Sequence, residues 1–225
     1  MEYGENGQKA YMYSEIENRS EYKPVIQDGE VEKKDPDVSE KDAYKEIIEQ
    51  YQEVLNDQID DNKINRLRSV YPLLNWNLIQ ETAIDQYGLS YCRLDINADG
   101  NDELLISDWY NTAEDNTGFF YAIYTQKEDE VIPLINDCSY RTYCYLCEDG
   151  TIVVSASGGA LHGSKTLYRI NENADGLTLI SEYEMDYEKD SYAPYYNGEE
   201  RLTEEEFDAK YRAAEPAMFE WTDFN

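Results

Sequence analysis

One short stretch, residues 95–103, constrains this chain more than any other. Its sequence, Asp-Ile-Asn-Ala-Asp-Gly-Asn-Asp-Glu, puts an oxygen-bearing side chain at every second position around one glycine. Calcium takes about six to eight oxygen ligands, and a tight turn with such residues at its first, third, fifth and ninth places supplies most of them. Gly100 stands at the sixth place, where the backbone must bend sharply. The predicted ligands are Asp95, Asn97, Asp99, the main-chain carbonyl of Asn101, and Glu103.

The residues that flank this loop decide what kind of site it is. An EF-hand needs helices on both sides and a bidentate acid at the twelfth place, which here is Ile106. The apolar run of residues 104–106 favours a strand instead, so we predict a strand-loop-strand calcium site closed by Glu103. Its role would be structural, because neighbouring carboxylates repel one another unless a cation neutralises them. The alternative is an acidic turn without an ion, since Asp, Asn and Gly also dominate plain turns.

A second stretch has a related sequence. Residues 93–100 align with residues 169–176, which read Arg-Ile-Asn-Glu-Asn-Ala-Asp-Gly. The acids of the first and ninth places are replaced here by Asn171 and Leu179. We therefore expect a strand turn of related design rather than a second calcium site.

The charge of the chain limits its partners. With 49 acidic against 19 basic residues, the formal net charge is -30. Nucleic acids and anionic membranes are disfavoured, because no basic surface is present to replace the counterions of phosphate groups. No apolar run of about 18 residues occurs, so no transmembrane segment is expected. A monomer is the expected state.

The predicted fold is α+β, with N-terminal helices packed on a largely antiparallel β-meander sheet and a short C-terminal helix. Residues 1–38 are polar and acidic with scattered glycine and proline, and are expected to form a disordered acidic leader or tether. Residues 39–225 are predicted to form a single domain, helical over 39–87 and β-rich over 88–200. Helical spacing of apolar residues indicates helices over 44–59 and 61–70, and a less definite one over 73–87.

From residue 89 the apolar period changes to two, which is typical of strands. Strands are predicted near 89–95, 103–110, 118–125, 130–134, 140–147, 151–157, 164–170, 178–187 and 192–196. Three Asp-Gly or Asn-Gly pairs, ending at Gly150, Gly176 and Gly198, predict hairpins because glycine supplies the positive φ of a tight turn. Thr203 and Glu206 form a capping box that opens the C-terminal helix, predicted over 203–215.

The cysteines and the single histidine give weaker signals. Cys144 and Cys147 have the spacing of a redox or zinc half-site, but no second pair completes a zinc shell, so buried free thiols are expected. In an oxidising compartment, the alternative is a disulfide that involves Cys92 or Cys138. His162 follows a serine-containing and glycine-containing stretch, residues 155–164, that lacks the Gly-x-Ser-x-Gly pattern and is expected to be a flexible hairpin loop. No catalytic residue and no organic cofactor site is predicted.

Three segments of the chain carry a resemblance to known proteins. They are Tyr91-Cys-Arg-Leu-Asp-Ile-Asn-Ala-Asp-Gly-Asn-Asp-Glu-Leu-Leu-Ile106, Tyr195-Tyr-Asn-Gly198 and Thr203-Glu-Glu-Glu-Phe207. In these segments the chain resembles a group of secreted lipoproteins of Firmicutes, many of them from gut clostridia. Their typical run is Tyr-Ala-Leu-x-Asp-Ile-Asp-Gly-Asp-Gly-x-Pro-Glu-Leu-Leu-Ile. The loop is also similar to the calcium loop of integrin-type repeats, and that similarity implies the same five ligands. The chain departs from the pattern at Asn97, Ala98 and Asp102, where an acid, a glycine and a proline are usual; Asn97 removes one charge and is expected to weaken binding.

The resemblance implies an exported protein that is tethered to the cell surface through a lipid, with the acidic leader as spacer. It implies a location and no activity. The sequence shows neither a secretory signal at Met1 nor a lipid-bearing cysteine near it. Location at the cell surface or outside the cell therefore rests on the resemblance and on the calcium loop.

Three functional hypotheses follow from these observations. The leading one is a non-enzymatic extracellular surface module, stabilised by one calcium ion, that binds or scaffolds a surface glycan or protein partner. The second is a secreted enzyme that acts on glycosides or the cell wall with paired carboxylates, one of them in an apolar setting. The third is an intracellular acidic protein in which the loop is only a turn.

Overall fold

A computed structural model describes residues 42–55, 61–85, 88–108, 118–128, 130–139, 141–211, 213–214 and 216–224. The predicted leader, residues 1–38, lies outside these ranges. Within them the chain is mostly antiparallel β-sheet with few helices. None of the helices in this part of the chain is both long and apolar enough to cross a membrane.

In the described residues, three helices precede the first strand. They are α1 (Lys45–Leu55), α2 (Asp61–Val70) and α3 (Trp76–Asp85). Helix α1 begins where it does because Asp42 caps it: its carboxylate accepts the Tyr44 N–H at 3.2 Å and its carbonyl accepts the Lys45 N–H at 3.2 Å. Asn75 caps α3 in the same way, since its side-chain oxygen accepts the Leu78 N–H at 3.0 Å. The predicted helices are confirmed over the described residues, while residues 56–59 and 86–87 of the predicted ranges lie outside them. Val70 is exposed at the end of α2.

The strands of the described ranges form two antiparallel sheets. In chain order the strands are β1 (Leu89–Leu94), β2 (Glu103–Asp108), β3 (Phe119–Phe120), β4 (Ala122–Lys127), β5 (Glu130–Ile135), β6 (Thr142–Leu146), β7 (Ile152–Gly159), β8 (His162–Ile170), β9 (Leu177–Asp186), β10 (Tyr195–Asn197), β11 (Glu200–Arg201) and β12 (Thr222–Asp223). The five-stranded sheet has the order β12-β1-β2-β4-β5, and the seven-stranded sheet has the order β11-β10-β9-β8-β7-β6-β3.

The expectation of one meander sheet is wrong, because the chain changes sheets at Tyr121. The single strand predicted for residues 118–125 is broken there into β3, which pairs with β6, and β4, which pairs with β2. The Tyr121 N–H still donates to the Ile106 carbonyl at 2.8 Å, so the crossing takes one residue. Periodicity does not reveal the break, because Phe120 and Ala122 on either side of it are both fully buried.

The central strands of the five-stranded sheet are covered on both faces, which explains the three consecutive apolar residues, 104–106, of β2. On one face Leu104 and Ile106 join a core cluster that includes residues of α1, α2 and α3. On the other face Leu105 joins a cluster that includes Ile152 of the seven-stranded sheet. Burial of each of these side chains contributes about 2 kcal/mol. A strand covered on both sides needs apolar residues at consecutive positions, and the strict alternation of a half-exposed strand is lost.

The predicted hairpins are confirmed. The turns at Gly150, Gly176 and Gly198 join strand pairs β6–β7, β8–β9 and β10–β11. Gly150 and Gly198 have φ values of 79° and 58°, the left-handed region that glycine tolerates. In the middle hairpin the left-handed residue is Ala174, with φ 53°, rather than the predicted glycine.

The C-terminal helix α4 (Glu204–Tyr211) begins with the predicted capping box. The Thr203 N–H donates to Glu206 Oε2 at 2.9 Å, and the Glu206 N–H donates to Thr203 Oγ1 at 3.2 Å. Leu202 and Phe207 are buried together, as the hydrophobic staple requires. The helix ends at Tyr211, before the predicted end at residue 215. Beyond it the chain returns to the five-stranded sheet as β12, and its aromatic residues Phe219, Trp221 and Phe224 pack on the core.

A chain of buried hydrogen bonds ties the helices to the five-stranded sheet. The Asn75 N–H donates to the Tyr51 hydroxyl at 2.8 Å, and the Tyr124 hydroxyl donates to the Leu73 carbonyl at 2.7 Å. The two hydroxyls are 2.9 Å apart. Because the Tyr124 proton is committed to Leu73, Tyr51 must donate to Tyr124, so every group in the chain has a partner. Burial raises the pKa of Tyr51 to about 12, so its hydroxyl keeps its proton at neutral pH.

We expect Tyr124→Phe to lower the free energy of unfolding by about 1–3 kcal/mol, because the Tyr51 hydroxyl then loses its buried acceptor. Tyr51→Phe is expected to cost a similar amount, since it leaves the buried Asn75 N–H without its acceptor. Tyr192, which is 97% exposed, provides the matched control: Tyr192→Phe should be neutral. Urea unfolding curves of the three variants measure this. Equal stability of Tyr124→Phe and Tyr192→Phe would show that the buried chain contributes nothing.

Candidate metal centre

The loop at residues 95–102 connects β1 to β2 in the five-stranded sheet. Leu94 and Glu103 are the last paired residues of this hairpin, so the loop begins and ends at one register position. Both flanks are strands, as the absence of a twelfth-place acid predicts. The candidate ligands therefore lie at one end of a sheet whose two faces are buried.

Side-chain oxygens at alternate places hold the loop in a tight fold. The two carboxylate oxygens of Asp95 accept the N–H groups of Asp99 at 3.1 Å and Gly100 at 3.0 Å. The Asn97 side-chain oxygen also accepts the Asp99 N–H, at 3.1 Å. Asp99 in turn accepts the Asn101 N–H at 2.8 Å. The residues at places one, three and five thus bend the chain around themselves.

Two residues of this loop have left-handed backbone conformations, Ala98 with φ 58° and Gly100 with φ 91°. A glycine adopts such values without steric cost, whereas an alanine pays about 1–2 kcal/mol. Ala98 is the position where the resembling lipoproteins commonly have glycine. Alanine at this position therefore strains the backbone of the turn. The chemistry of its methyl side chain alone does not suggest this effect.

Glu103, at the ninth place, is the most unusual residue of the loop because its carboxylate is fully buried. Oε2 accepts the Ile96 N–H at 2.9 Å, and Oε1 accepts the Thr125 hydroxyl at 3.1 Å. Burial raises the pKa of Glu103 to about 7, and the nearby charges of Asp99 and Asp95 act in the same direction, while the two hydrogen bonds oppose them. Both of its hydrogen-bond donors are neutral.

Long-range contacts that the sequence did not reveal tie the loop to the start of α1. The Tyr44 hydroxyl donates to the Asp102 carbonyl at 2.6 Å. Arg93 forms an ion pair with Asp42 at 2.8 Å, which holds the pKa of that carboxyl below its usual range. Thr125, the partner of Glu103, lies on β4. No local pattern predicts these partners, because each pair is brought together only by the folding of the sheet and the helix.

The donor set of the loop fits a hard cation in kind: every candidate group is an oxygen. In the described residues, however, no three His, Cys, Asp or Glu side chains converge as a ready-made metal group. The Asp99 carboxylate instead accepts neutral side-chain N–H groups, one from Asn97 and one from Asn101, each at 3.0 Å. The residues that would hold calcium are the predicted five, Asp95, Asn97, Asp99, the Asn101 carbonyl and Glu103.

The related turn at residues 171–176 is built in the same way. The Asn171 side-chain oxygen accepts the Asp175 N–H at 3.1 Å, the same first-to-fifth-place bond that Asp95 makes with Asp99. Here the Lys127 ammonium contacts the Asp175 carboxylate and lowers its pKa. The carboxylate at the fifth place already has a cation, in agreement with the prediction of a plain turn.

The sequence predicts that His162 lies in a flexible hairpin loop. In the structure, His162 instead begins strand β8 and pairs with Gly159. The prediction was wrong because glycines suggested a long loop, whereas the turn is confined to residues 160–161. The two ring nitrogens of His162 lie 3.3 Å from Asp186 and 3.4 Å from Glu188. This arrangement pairs the imidazole with carboxylates on β9 and the turn after it.

No protein-family model matches this chain, and no curated protein and no solved structure matches it either.

We expect Ala98→Gly to raise the free energy of unfolding by about 0.5–1 kcal/mol, because the left-handed backbone then carries no Cβ. Gly100→Ala is the matched reverse change. A Cβ at Gly100 would meet nothing within 4 Å, so its expected cost of about 1–2 kcal/mol comes from backbone strain alone. Urea unfolding in the presence of a calcium chelator measures both. A destabilised Ala98→Gly protein would contradict the assigned conformation.

The buried carboxyl of Glu103 predicts a pH dependence of stability in the presence of a chelator. Its pKa is about 7 in the folded protein against an ordinary 4.5, so the folded state holds a proton that the unfolded state releases. Stability must therefore fall as the pH rises from about 4.5 to about 7, by up to ~3 kcal/mol from this group.

Glu103→Gln should remove this part of the pH dependence, because the amide has no proton to lose. Exposed Glu205→Gln removes the same charge from the surface and should leave the slope unchanged. Thermal unfolding of the three proteins between pH 5 and pH 8 compares them. Parallel curves for the parent and Glu103→Gln would contradict the raised pKa.

Proposed function

We propose that this protein is a non-enzymatic extracellular surface module of α+β type, with its N-terminal helices packed on the five-stranded sheet, and that the loop at residues 95–103 binds one calcium ion. The ion has a structural role. It neutralises the carboxylates at the end of the β1–β2 hairpin and so fixes the position where the sheet begins.

The observation that carries this proposal is the setting of Glu103. Its carboxylate is buried, has only neutral hydrogen-bond donors, and lies near the charges of Asp95 and Asp99. A buried anion without a cationic partner is costly, and the usual remedies are protonation or a bound cation. Calcium accepts all the oxygen donors that the loop offers, whereas zinc and other softer metals favour sulfur or nitrogen ligands.

The expected affinity supports an extracellular location. Calcium sites of extracellular modules have dissociation constants of about 0.1–1 mM. At roughly 1 mM free calcium, a site at the tight end of this range stabilises the fold by ~1.4 kcal/mol. Inside a cell, where free calcium is far lower, the site would be mostly empty and the charge of Glu103 would go unpaired. A surface tether through a lipid agrees with this location, but it follows only from the resemblance to clostridial lipoproteins.

The binding or scaffolding role is preferred over an enzymatic one because of the groove between α1 and β5. This groove has a volume of about 970 Å³ and carries the carboxylates of four residues on its walls: Asp42, Glu46, Glu49 and Glu130. All four residues are exposed. A glycosidase needs one carboxylic acid in an apolar setting that keeps its proton, and exposed acids do not provide one. Its partner, a surface glycan or a protein, is not specified by these residues.

We expect about 1 mM calcium to raise the thermal midpoint of the protein by roughly 3–6 °C relative to chelator, the equivalent of ~1.4 kcal/mol for a chain of this size. Asp95→Ala and Asp99→Ala should abolish this increase, because each removes a charged ligand. The readout is the calcium-dependent shift, since both variants also lose loop hydrogen bonds and melt earlier in chelator. Differential scanning calorimetry with and without calcium measures it.

Asp102→Ala is the matched control, because it removes one exposed charge from the same loop at a place that holds no ligand; its shift should persist. Asn97→Asp tests the site by adding a charged ligand where the other variants remove one. It replaces the N–H that now faces Asp99 with a fourth ligand carboxylate, so it should melt earlier in chelator and show a larger calcium shift. If calcium moves none of these midpoints, or moves that of Asp99→Ala as far as that of Asp102→Ala, the proposed site is wrong.

A further inference from the structure

Two cysteine thiols meet inside the core between the two sheets. Cys138 lies just after β5, and Cys144 lies in the middle of β6. Their exposed fractions are 1% and 0%, and their sulfur atoms are only 2.7 Å apart. Both belong to the cluster that Leu105 and Ile152 form between the sheets. This separation is closer to a disulfide bond, about 2.05 Å, than to the contact of two independent thiols.

The backbone holds the two cysteines in place. Ser139 and Thr142 form two reciprocal main-chain hydrogen bonds, of 3.1 Å and 2.7 Å, which close the turn between Cys138 and Cys144. The Cys138 carbonyl also accepts the side-chain N–H of the fully buried Asn75 at 2.9 Å. The closed turn and the anchored carbonyl therefore hold the backbones of the two cysteines near each other.

We propose that Cys138 and Cys144 form a disulfide when the protein folds in an oxidising medium, and that this bond joins the two sheets across their shared core. Each thiol loses a proton, the sulfur atoms form one bond, and two electrons pass to a small-molecule disulfide such as oxidised glutathione. That oxidant is reduced to two thiols through a mixed disulfide with one cysteine, which the second cysteine resolves. In a reducing medium the pair stays as two buried thiols.

The bond must form during folding rather than after it. The hydrogen bond with Cys138 and the burial of the thiol hold the pKa of Cys144 well above its ordinary value, so the reactive thiolate is scarce in the folded protein. An external oxidant also has no direct access to a fully buried sulfur. In the unfolded chain the two thiols are exposed and separated by only five residues, so closing the loop between them has a small entropic cost.

The other two cysteines are placed differently and serve as internal controls. Cys92 lies on β1, with its sulfur 3.8 Å from the Arg93 carbonyl, and burial raises its pKa to about 11. Cys147 follows the end of β6 and is only half-buried. Neither is placed at the turn that Ser139 and Thr142 close.

The test refolds the full chain from denaturant with oxidised glutathione, in parallel with a sample refolded with a reducing agent. Thiols are then titrated in denaturant, and the linked peptides are identified by mass spectrometry. Of the four thiols in the chain, two are expected to be lost in the oxidised sample, with Cys138 and Cys144 in one linked peptide. The experiment is done in the presence of a chelator, so its outcome does not depend on calcium.

Variants make the assignment unambiguous. Cys92→Ser/Cys147→Ser leaves the core pair unchanged and should lose both of its remaining thiols on oxidation. Cys138→Ala and Cys144→Ala should each retain all three thiols. Because the double variant keeps both Cys138 and Cys144, the test does not depend on the folding of the other two. Full retention of thiols in the oxidised double variant, or a bond that maps to any other pair, would overturn the proposal.

The bond should also change stability. A disulfide that closes so short a loop is expected to raise the thermal midpoint by roughly 5 °C relative to the reduced protein. Reduction of the oxidised double variant in denaturant, followed by refolding, should reverse the increase. An unchanged midpoint would refute the inference that the bond strengthens the junction between the sheets.

Discussion

Burial of β2 on both of its faces is the constraint on which the rest of the structure depends. The residues at 104–106 alternate between the core beneath the helices and the core beneath the second sheet, so neither layer can be removed without exposing the other side of this strand. Glu103 is the first residue of the same strand. The burial of its apolar neighbours therefore places the Glu103 carboxylate in the interior. The cost of burying this charge is a consequence of how the core is packed.

The candidate site and the helices are mechanically linked through a few polar contacts. Tyr44 bonds the loop at Asp102, and Asp42 both caps α1 and pairs with Arg93 at the end of β1. A change in the conformation of the loop therefore affects the contacts at the start of α1. The buried chain that contains Tyr51 and Tyr124 then fixes the same helix against the centre of the sheet. Stabilisation of the loop by an ion would accordingly extend beyond the hairpin that carries it.

Much of the fold could be predicted from local sequence, and the rest could not for physical reasons. The capping box of Thr203 and the hairpin turns depend on residues within a few positions of one another, and they were found. The break at Tyr121 was missed because apolar residues on both sides of it satisfy any strand pattern. The left-handed Ala98 and the partners of Glu103 were missed for a related reason: conformational strain and contacts between distant strands leave no periodic signal. The contact of Cys138 with Cys144 depends on a turn between two sheets that a single meander does not contain.

The two related turns differ in where their positive charge comes from. At Asp175 the cation is Lys127, a side chain of the same molecule, which is present in every medium. At Asp99 the structure offers neutral N–H donors from Asn97 and Asn101, and the proposed full neutralisation requires an ion from outside. Only the β1–β2 corner would then respond to its surroundings. Where calcium is scarce, this corner would open first, and backbone near Gly100 would become the point of entry for a protease.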